Sequence, residues 1–248
     1  MQFSYSAIWD DVTVLLRSHA SLIATVAGVF IFLPILLTAY FLPPPESAAP
    51  ERALQLWLEY GLANWHWLLL SFLVRSVGAI AILLLLCARD ISVGGAIAAA
   101  VVLLPAYFVA TLLSGVAVGF GFFLLVVPGL YLLGRLGPLN AVVVAEAHRN
   151  PIAALRRCWA LTEGRGWSIL GLILIVAIAA AIVVVVASTL LGILFILAAG
   201  KDIGQLLVLI VSTAGNAAMM VLLIVLSAAI YRRLSEDRSG AAKAMPPS

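Results

Sequence analysis

Long apolar segments separated by short polar connections run through the whole chain. They cover residues 22–42, 67–88, 97–115, 119–136, 167–191 and 205–230. Each is close to the roughly 20 residues with which an α-helix crosses the hydrocarbon core of a bilayer. The pattern predicts an all-α polytopic membrane protein, in which a bundle of about six transmembrane helices forms one domain over residues 1–231.

The composition leads to the same class. Of the 248 residues, 65% are hydrophobic and only 10% are charged, too few to cover the surface of a soluble domain of this length. The net charge of +3 does not indicate nucleic-acid binding, because the basic residues stand at the ends of the apolar segments rather than in one patch. Two cysteines are too few for a disulfide framework.

Residues 96–136 carry a single charge, Arg135. One helix of that length would measure about 60 Å, twice the hydrocarbon thickness. The segment must therefore fold back, and the stretch from Gly115 to Gly121 is the expected turn between the third and fourth crossings. Gly115 and Gly119 also have the spacing with which small residues bring two membrane helices together.

Two further segments lie outside the predicted crossings. Residues 7–20 predict an amphipathic helix, which lies either on the membrane surface or against its own bundle. One face of this helix carries Ile8, Val12, Leu15, Leu16 and His19. The tail, residues 232–248, mixes charge with Gly, Ala and Pro and is predicted to be disordered.

Six crossings place both termini on the same side of the membrane. Of the 14 Lys and Arg residues, Arg52 and Lys201 fall on the opposite side and Arg75 lies within the second helix. The positive-inside rule assigns the basic side to the cytoplasm. We therefore expect a multi-pass membrane protein with both termini in the cytoplasm. The basic residues of that side are Arg17, Arg89, Arg135, Arg149, Arg156, Arg157, Arg165, Arg232, Arg233, Arg238 and Lys243.

The longest polar stretch, residues 137–166, is expected to form an amphipathic segment at the cytoplasmic face. Asn150 and Pro151 suit the N-cap and the first position of a helix. On a helical wheel, one arc is apolar and holds Ile152, Ala154, Leu155, Cys158, Trp159 and Leu161. The opposite arc holds Arg149, Arg156, Arg157 and Glu163. Basic and apolar faces side by side suit anionic lipid headgroups. The candidate residues for contact with lipid or a protein partner are Arg135, Glu146, Arg149, Arg156, Arg157 and Trp159.

Three motifs between residues 127 and 164 carry a resemblance to a known family. They are Val127-Pro128-Gly129-Leu130-Tyr131-Leu132-Leu133-Gly134-Arg135, Val142-Val143-Val144-Ala145-Glu146 and Ala154-Leu155-Arg156-Arg157-Cys158-Trp159-Ala160-Leu161-Thr162-Glu163-Gly164. The chain resembles the YciC-like bacterial inner-membrane proteins and the membrane domain attached to some glycerophosphodiester phosphodiesterases. That family usually has Ser where this chain has Cys158. The resemblance implies a polytopic module of a bacterial inner membrane with an undefined molecular role, and it brings no catalytic residues.

Two polar residues fall inside predicted crossings. Arg75 lies about eight positions into an apolar segment, where an ionised arginine costs about 2.5–3.5 kcal/mol. It is expected either to hold an anionic substrate, to pair with a carboxylate such as Glu59, or to extend its side chain to the outer interface. Asn216 is expected to bond to another helix or to contact a substrate.

Glu146 and His148 have no second histidine or carboxylate at ligand spacing, so a salt bridge from Glu146 to Arg135 or Arg149 is expected rather than a metal site. Neither a nucleophile with its base nor a phosphate-binding loop is evident.

We expect a non-enzymatic module without a cofactor that organises lipid or a protein partner. The alternative is a transporter or lipid-translocating protein with Arg75 and Asn216 converging inside the bundle.

Overall fold

The computed structural model describes residues 5–45, 50–87 and 91–244. Within these ranges the chain is all-helical, which confirms the predicted fold class. The helices are α1 (Tyr5–Ser18), α2 (Ala20–Ala27), a π-helical turn (Gly28–Phe32), α3 (Leu33–Phe41), α4 (Pro50–Cys87), α5 (Val93–Leu124), α6 (Val126–Leu136), α7 (Leu139–Ala145), α8 (Pro151–Leu161), α9 (Gly166–Ala199) and α10 (Lys201–Ala244).

Six segments of the described chain are long and apolar enough to cross a membrane, as many as the sequence predicts. They are Ala20–Phe41, Arg52–Cys87, Val93–Leu124, Val126–Ala145, Gly166–Ala198 and Lys201–Asp237. The chain is therefore an integral, multi-pass membrane protein. The tryptophan-rich residues 53–66 are part of α4, which runs without a break through the second crossing.

The first helix packs on the bundle. Ile8, Val12 and Leu15 of α1 are buried, as the apolar face predicts, and α1 contacts α10. Of the two positions that the sequence leaves open, the membrane surface and the bundle, α1 therefore takes the position against the bundle. The crossing that follows contains a π-helical turn just before Pro34, where a proline removes one backbone hydrogen bond and crowds the carbonyl four residues earlier.

The turn between the third and fourth crossings does not lie where the sequence predicts it. Helix α5 continues for 32 residues through Gly115–Gly121, and the chain turns at Leu125, whose backbone is extended. Pro128 follows in the first turn of α6 and cannot donate to the carbonyl of Leu124. The length argument was right that the segment folds back, but the proline rather than the glycines fixes the position.

The glycines that bring α5 and α6 together are also different ones. A Cβ added at Gly121 would lie 2.9 Å from the Cα of Gly129, and one added at Gly129 would meet the ring of Phe122. Gly115 and Gly119 face open space. The predicted packing role of Gly115 and Gly119 is therefore wrong within this chain.

The core lies at the end of the bundle where α7 is enclosed by its neighbours. Residues 141–144 of α7 are buried between α4, α5 and α10, as are residues 79–83 of α4 and 228–230 of α10. Away from this end, α5, α9 and α10 expose apolar side chains. The segment predicted to be a disordered tail is helical through Ala244, because α10 continues beyond residue 231. Residues 245–248 lie outside the described ranges.

Candidate functional site

Helix α8 is fixed at its N-terminus by the predicted cap. The Asn150 side-chain oxygen accepts from the backbone N–H groups of Ile152 (3.0 Å) and Ala153 (3.3 Å), and Pro151 takes the first helical position. Ala154, Cys158 and Leu161 are buried on the inner side of the helix, where α8 meets α5, α6 and α7. The sequence therefore determines both the start of α8 and most of its buried face.

The predicted apolar arc of α8 is only partly buried. Two of its members, Ile152 and Trp159, are 55% and 43% exposed, and Trp159 is one of the predicted contact residues. Arg156 is exposed and lies between them in the i, i+4, i+7 series. We call Ile152, Arg156 and Trp159, together with the exposed Arg149, the α8 surface. It combines basic and apolar side chains, as segments at a membrane interface do.

Arg135 stands behind this surface and is not part of it. Its side chain is only 5% exposed. The guanidinium donates to the Tyr131 hydroxyl (3.0 Å), the Thr162 hydroxyl (3.3 Å) and the Trp159 carbonyl, and it lies 3.8 Å from the centre of the Trp159 ring. The prediction that Arg135 contacts lipid or a partner is therefore wrong, because its hydrogen bonds and its stacking on Trp159 bind α6 to α8.

Cys158 belongs to the same junction. Its thiol donates to the backbone carbonyl of Arg135 at 3.4 Å. Burial raises the pKa of Cys158 to about 12, although the positive charge of Arg135 acts in the opposite direction. The thiol is thus neutral at physiological pH and acts as a packing group.

Glu146 forms the second polar junction. Its carboxylate accepts from Arg157 Nε at 2.9 Å and 3.2 Å and from the Tyr231 hydroxyl at 3.2 Å, and it lies 2.9 Å from His148 Nε2. The expected salt bridge from Glu146 to Arg135 or Arg149 is therefore wrong. The side chain instead joins the end of α7 to α8 and α10.

The electrostatics of this junction favour the ionised carboxylate. Partial burial acts to raise the pKa of Glu146, but the hydrogen bonds and charges of Arg157 and His148 outweigh it and hold that pKa below its ordinary value. Glu146 is consequently ionised near neutral pH and forms a salt bridge with Arg157. Arg149 and Arg156 take part in none of the ion pairs between described residues.

A tight turn gives Glu146 and His148 their positions. Ala147 has a φ of 48°, in the left-handed region. The backbone N–H of Ala147 bonds to the carbonyl of Val144 (3.3 Å), and that of His148 bonds to the carbonyl of Val143 (3.0 Å). This is the Schellman ending of α7, with alanine where glycine is usual.

Two ion pairs connect α10 to distant parts of the chain, and the sequence analysis did not predict either of them. Arg165 Nη1 lies 2.6 Å from the Asp237 carboxylate, and Arg233 binds Asp11 of α1 through two nitrogens. Arg233 also donates to the carbonyl of Ala7. The partners are separated by 72 and 222 positions, so no local pattern indicates them.

The intramembrane candidates do not form a common site. Asn216 is exposed on α10, and Arg75 is half-buried on α4, where its Nε donates to the Ser71 carbonyl of the same helix (3.2 Å). The proposed Arg75–Glu59 pair is wrong, since 16 residues of one helix separate them by about 24 Å. The bond to Ser71 extends the Arg75 side chain toward Trp67.

Comparison with known proteins adds no assignment. No family model, no curated protein and no solved structure matches the chain.

Proposed function

We propose that this chain is a non-enzymatic module of a bacterial inner membrane, with both termini in the cytoplasm, which binds anionic lipid headgroups through the α8 surface. The observation that carries the proposal is the exposure of Arg156 between Ile152 and Trp159. An arginine flanked by exposed apolar side chains suits the boundary between headgroups and acyl chains, because the cation meets phosphate while its neighbours enter the apolar layer.

The two arginines of the α8 surface are available for this role. Arg149 and Arg156 are exposed and form no ion pair with a described residue. Each basic residue near an anionic membrane contributes about 1 kcal/mol of attraction. Arg157 is less suited, since Glu146 already neutralises it. We therefore assign the lipid contact to Arg149 and Arg156.

The junctions behind the surface support the same role. Arg135 holds the Trp159 carbonyl and stacks on its ring, and Glu146 holds Arg157. Both contacts fix α8 against α6, α7 and α10, so the exposed groups keep their relative positions. A preformed surface loses less conformational entropy when it binds.

The test is lipid binding by the purified protein in detergent, measured by native mass spectrometry with phosphatidylglycerol and phosphatidylcholine. The Arg149→Glu/Arg156→Glu variant should bind phosphatidylglycerol at least about tenfold more weakly, because two favourable charges become repulsive. Phosphatidylcholine binding should change little. Arg52→Glu, which reverses an exposed charge at the start of α4, is the matched control.

Equal phosphatidylglycerol binding by the wild type and the double variant would refute the lipid role. If the double variant instead loses a protein that co-purifies with the wild type in stoichiometric amount, the α8 surface binds a protein partner. That outcome would also replace the lipid proposal.

The resemblance to the YciC-like inner-membrane proteins is part of this proposal. Its motifs fall on α6, α7 and α8, the helices that build the α8 surface and its two polar junctions. The transporter alternative lacks the convergence it requires, because Asn216 is exposed and Arg75 bonds within its own helix.

A further inference from the structure

The α9–α10 hairpin provides a measure of height across the membrane. Its two helices pack antiparallel, and a Cβ added at Gly215 of α10 would meet the side chain of Val184 in α9. Gly171 lies 13 residues before Val184, and Ala229 lies 14 residues after Gly215. Because each residue advances a helix by about 1.5 Å, Gly171 and Ala229 are at nearly the same height.

Helix α1 lies across this hairpin at that height. Near its start, the Tyr5 hydroxyl is 3.6 Å from the position of a Cβ added at Gly171. Near its end, Val14 and Leu15 line a cleft together with Ala229. Both ends of α1 therefore meet the hairpin at one height, and α1 runs roughly parallel to the membrane plane.

The face of α1 that points away from the bundle carries two opposite charges. Ile8 and Val12 are buried against the bundle, and Asp10 and Arg17 lie about half a turn around the helix from Ile8. Both charged side chains are exposed, and neither takes part in an ion pair between described residues. A spacing of seven residues, about 10 Å along the axis, also keeps them too far apart to pair with each other.

This outward face is complementary to a second copy of itself. When two α1 helices lie antiparallel and side by side, Asp10 of each copy stands opposite Arg17 of the other. Val14, midway between the two charges and 63% exposed, then lies next to the same residue of the other copy. Because α1 runs parallel to the membrane plane, a two-fold axis along the membrane normal produces this arrangement. Such an axis relates two copies that are inserted in the same direction.

We propose that two copies of the chain form a dimer through the outward face of α1, with Asp10–Arg17 ion pairs on either side of Val14. Exposed ion pairs are weak and are screened by salt, so the dimer should be reversible and should weaken as the salt concentration rises. Confinement of both copies to one membrane in one orientation reduces the freedom that is lost on association. The interface lies on a different helix from the α8 surface and does not depend on the proposed function.

The test is energy transfer between donor-labelled and acceptor-labelled full-length protein in phosphatidylcholine liposomes at low salt. Asp10→Arg and Arg17→Asp each place like charges at both contacts, so either variant alone should reduce transfer about fivefold or more. Donor-labelled Asp10→Arg mixed with acceptor-labelled Arg17→Asp should restore the wild-type transfer, because every contact in the mixed pair again joins opposite charges. Glu59→Arg reverses the charge of an exposed residue of α4, and it should leave transfer unchanged, as should Arg149→Glu/Arg156→Glu.

Disulfide cross-linking locates the two-fold axis independently. In a chain that carries Cys87→Ser, Val14→Cys should form a covalent dimer under mild oxidation, because the two sulfur atoms come within bonding reach. Ile152→Cys, on α8, measures random collision, since Ile152 is 55% exposed and lies outside the proposed interface. The remaining cysteine, Cys158, is buried. Melting temperatures of the variants check that each retains the fold.

Any of four results would overturn the proposal. The first is wild-type transfer no higher than that of Asp10→Arg, and the second is no recovery of transfer when Asp10→Arg is mixed with Arg17→Asp. The third is equal cross-linking of Val14→Cys and Ile152→Cys. The fourth is an Arg17→Asp variant that binds less phosphatidylglycerol in detergent and shows unchanged transfer, because Arg17 would then contact lipid rather than a second copy.

Discussion

Two arginines in apolar parts of the sequence are accommodated in different ways. Arg135 is buried, and its donors meet the Tyr131 hydroxyl, the Thr162 hydroxyl and the Trp159 carbonyl. Within the described part of the chain, Arg75 forms one hydrogen bond, to the Ser71 carbonyl of its own helix. Both arginines lie in apolar sequence, but Arg135 links α6 to α8 whereas the hydrogen bond of Arg75 stays within α4.

The three hydrogen bonds of the Arg135 guanidinium require arginine, and lysine should not replace it without a loss of stability. Arg135→Lys keeps the charge but cannot reach three acceptors in different directions or stack flat on Trp159. Because donors to buried acceptors are lost, the variant should be less stable by about 2–3 kcal/mol. Thermal unfolding in detergent measures this difference, and Arg149→Lys, at an exposed site, is the control. Equal melting temperatures for Arg135→Lys and wild type would contradict the assigned role.

The ion pair between Glu146 and Arg157 should make the free energy of unfolding depend on pH. A carboxyl whose pKa is lowered in the folded state contributes its full stabilisation above the ordinary glutamate pKa of about 4.3 and loses it as the pH falls through the lower, folded value. The melting temperature of wild type should thus exceed that of Glu146→Gln near neutral pH, and the gap should narrow below about pH 4.3. Glu59→Gln, at an exposed site on α4, should show no such gap. A constant gap from pH 7 to pH 3 would exclude the ion pair as its source.

At the level of helices, the α5–α6 hairpin depends on close backbone approach. Gly121 and Gly129 face each other, whereas Gly115 and Gly119 face outward. In the sequence, the spacing typical of packed membrane helices marks Gly115 and Gly119, not Gly121 and Gly129. Only the position of the turn at Leu125 decides which of them meet.

This difference gives a matched pair of substitutions. Gly121→Ala should destabilise the protein, since the added methyl would lie within 2.9 Å of the Gly129 backbone. Gly119→Ala should be neutral or stabilising by up to about 1 kcal/mol, because alanine favours helix and the site is open. Melting temperatures in detergent compare the two. A larger loss for Gly119→Ala would mean that Gly119 contacts a partner chain.

Over the whole molecule, the ends of the chain are held together at the end of the bundle that carries the core. Arg233 of α10 binds Asp11 of α1, and Arg165 ahead of α9 binds Asp237. Six candidate spans also return the chain to the side from which it starts. These contacts agree with both termini lying on one side.

The orientation itself is open to a direct test. Fusions of a reporter that is fluorescent only in the cytoplasm, placed at Met1 and at Ser248, should both be fluorescent, since most Lys and Arg residues lie on that side. A reporter inserted at Lys201, between α9 and α10, should be dark. Fluorescence from one terminus only would rule out six crossings.

Much of this architecture follows from local patterns. The length of the apolar segments fixes the number of candidate spans, and Asn150-Pro151 fixes the start of α8. The positions Ile8, Val12 and Leu15 fix the buried face of α1. Each of these depends on interactions between residues a few positions apart, which a single sequence displays.

The tertiary structure alone decided which groups meet. It paired Glu146 with Arg157 rather than Arg135, turned Trp159 outward over the buried Arg135 guanidinium, and placed Asn216 on an exposed face. The physical reason is that an ionic or hydrogen-bonded contact depends on the distance and direction between helices. Several donors of equal chemistry compete for each acceptor, and only the packed arrangement selects among them.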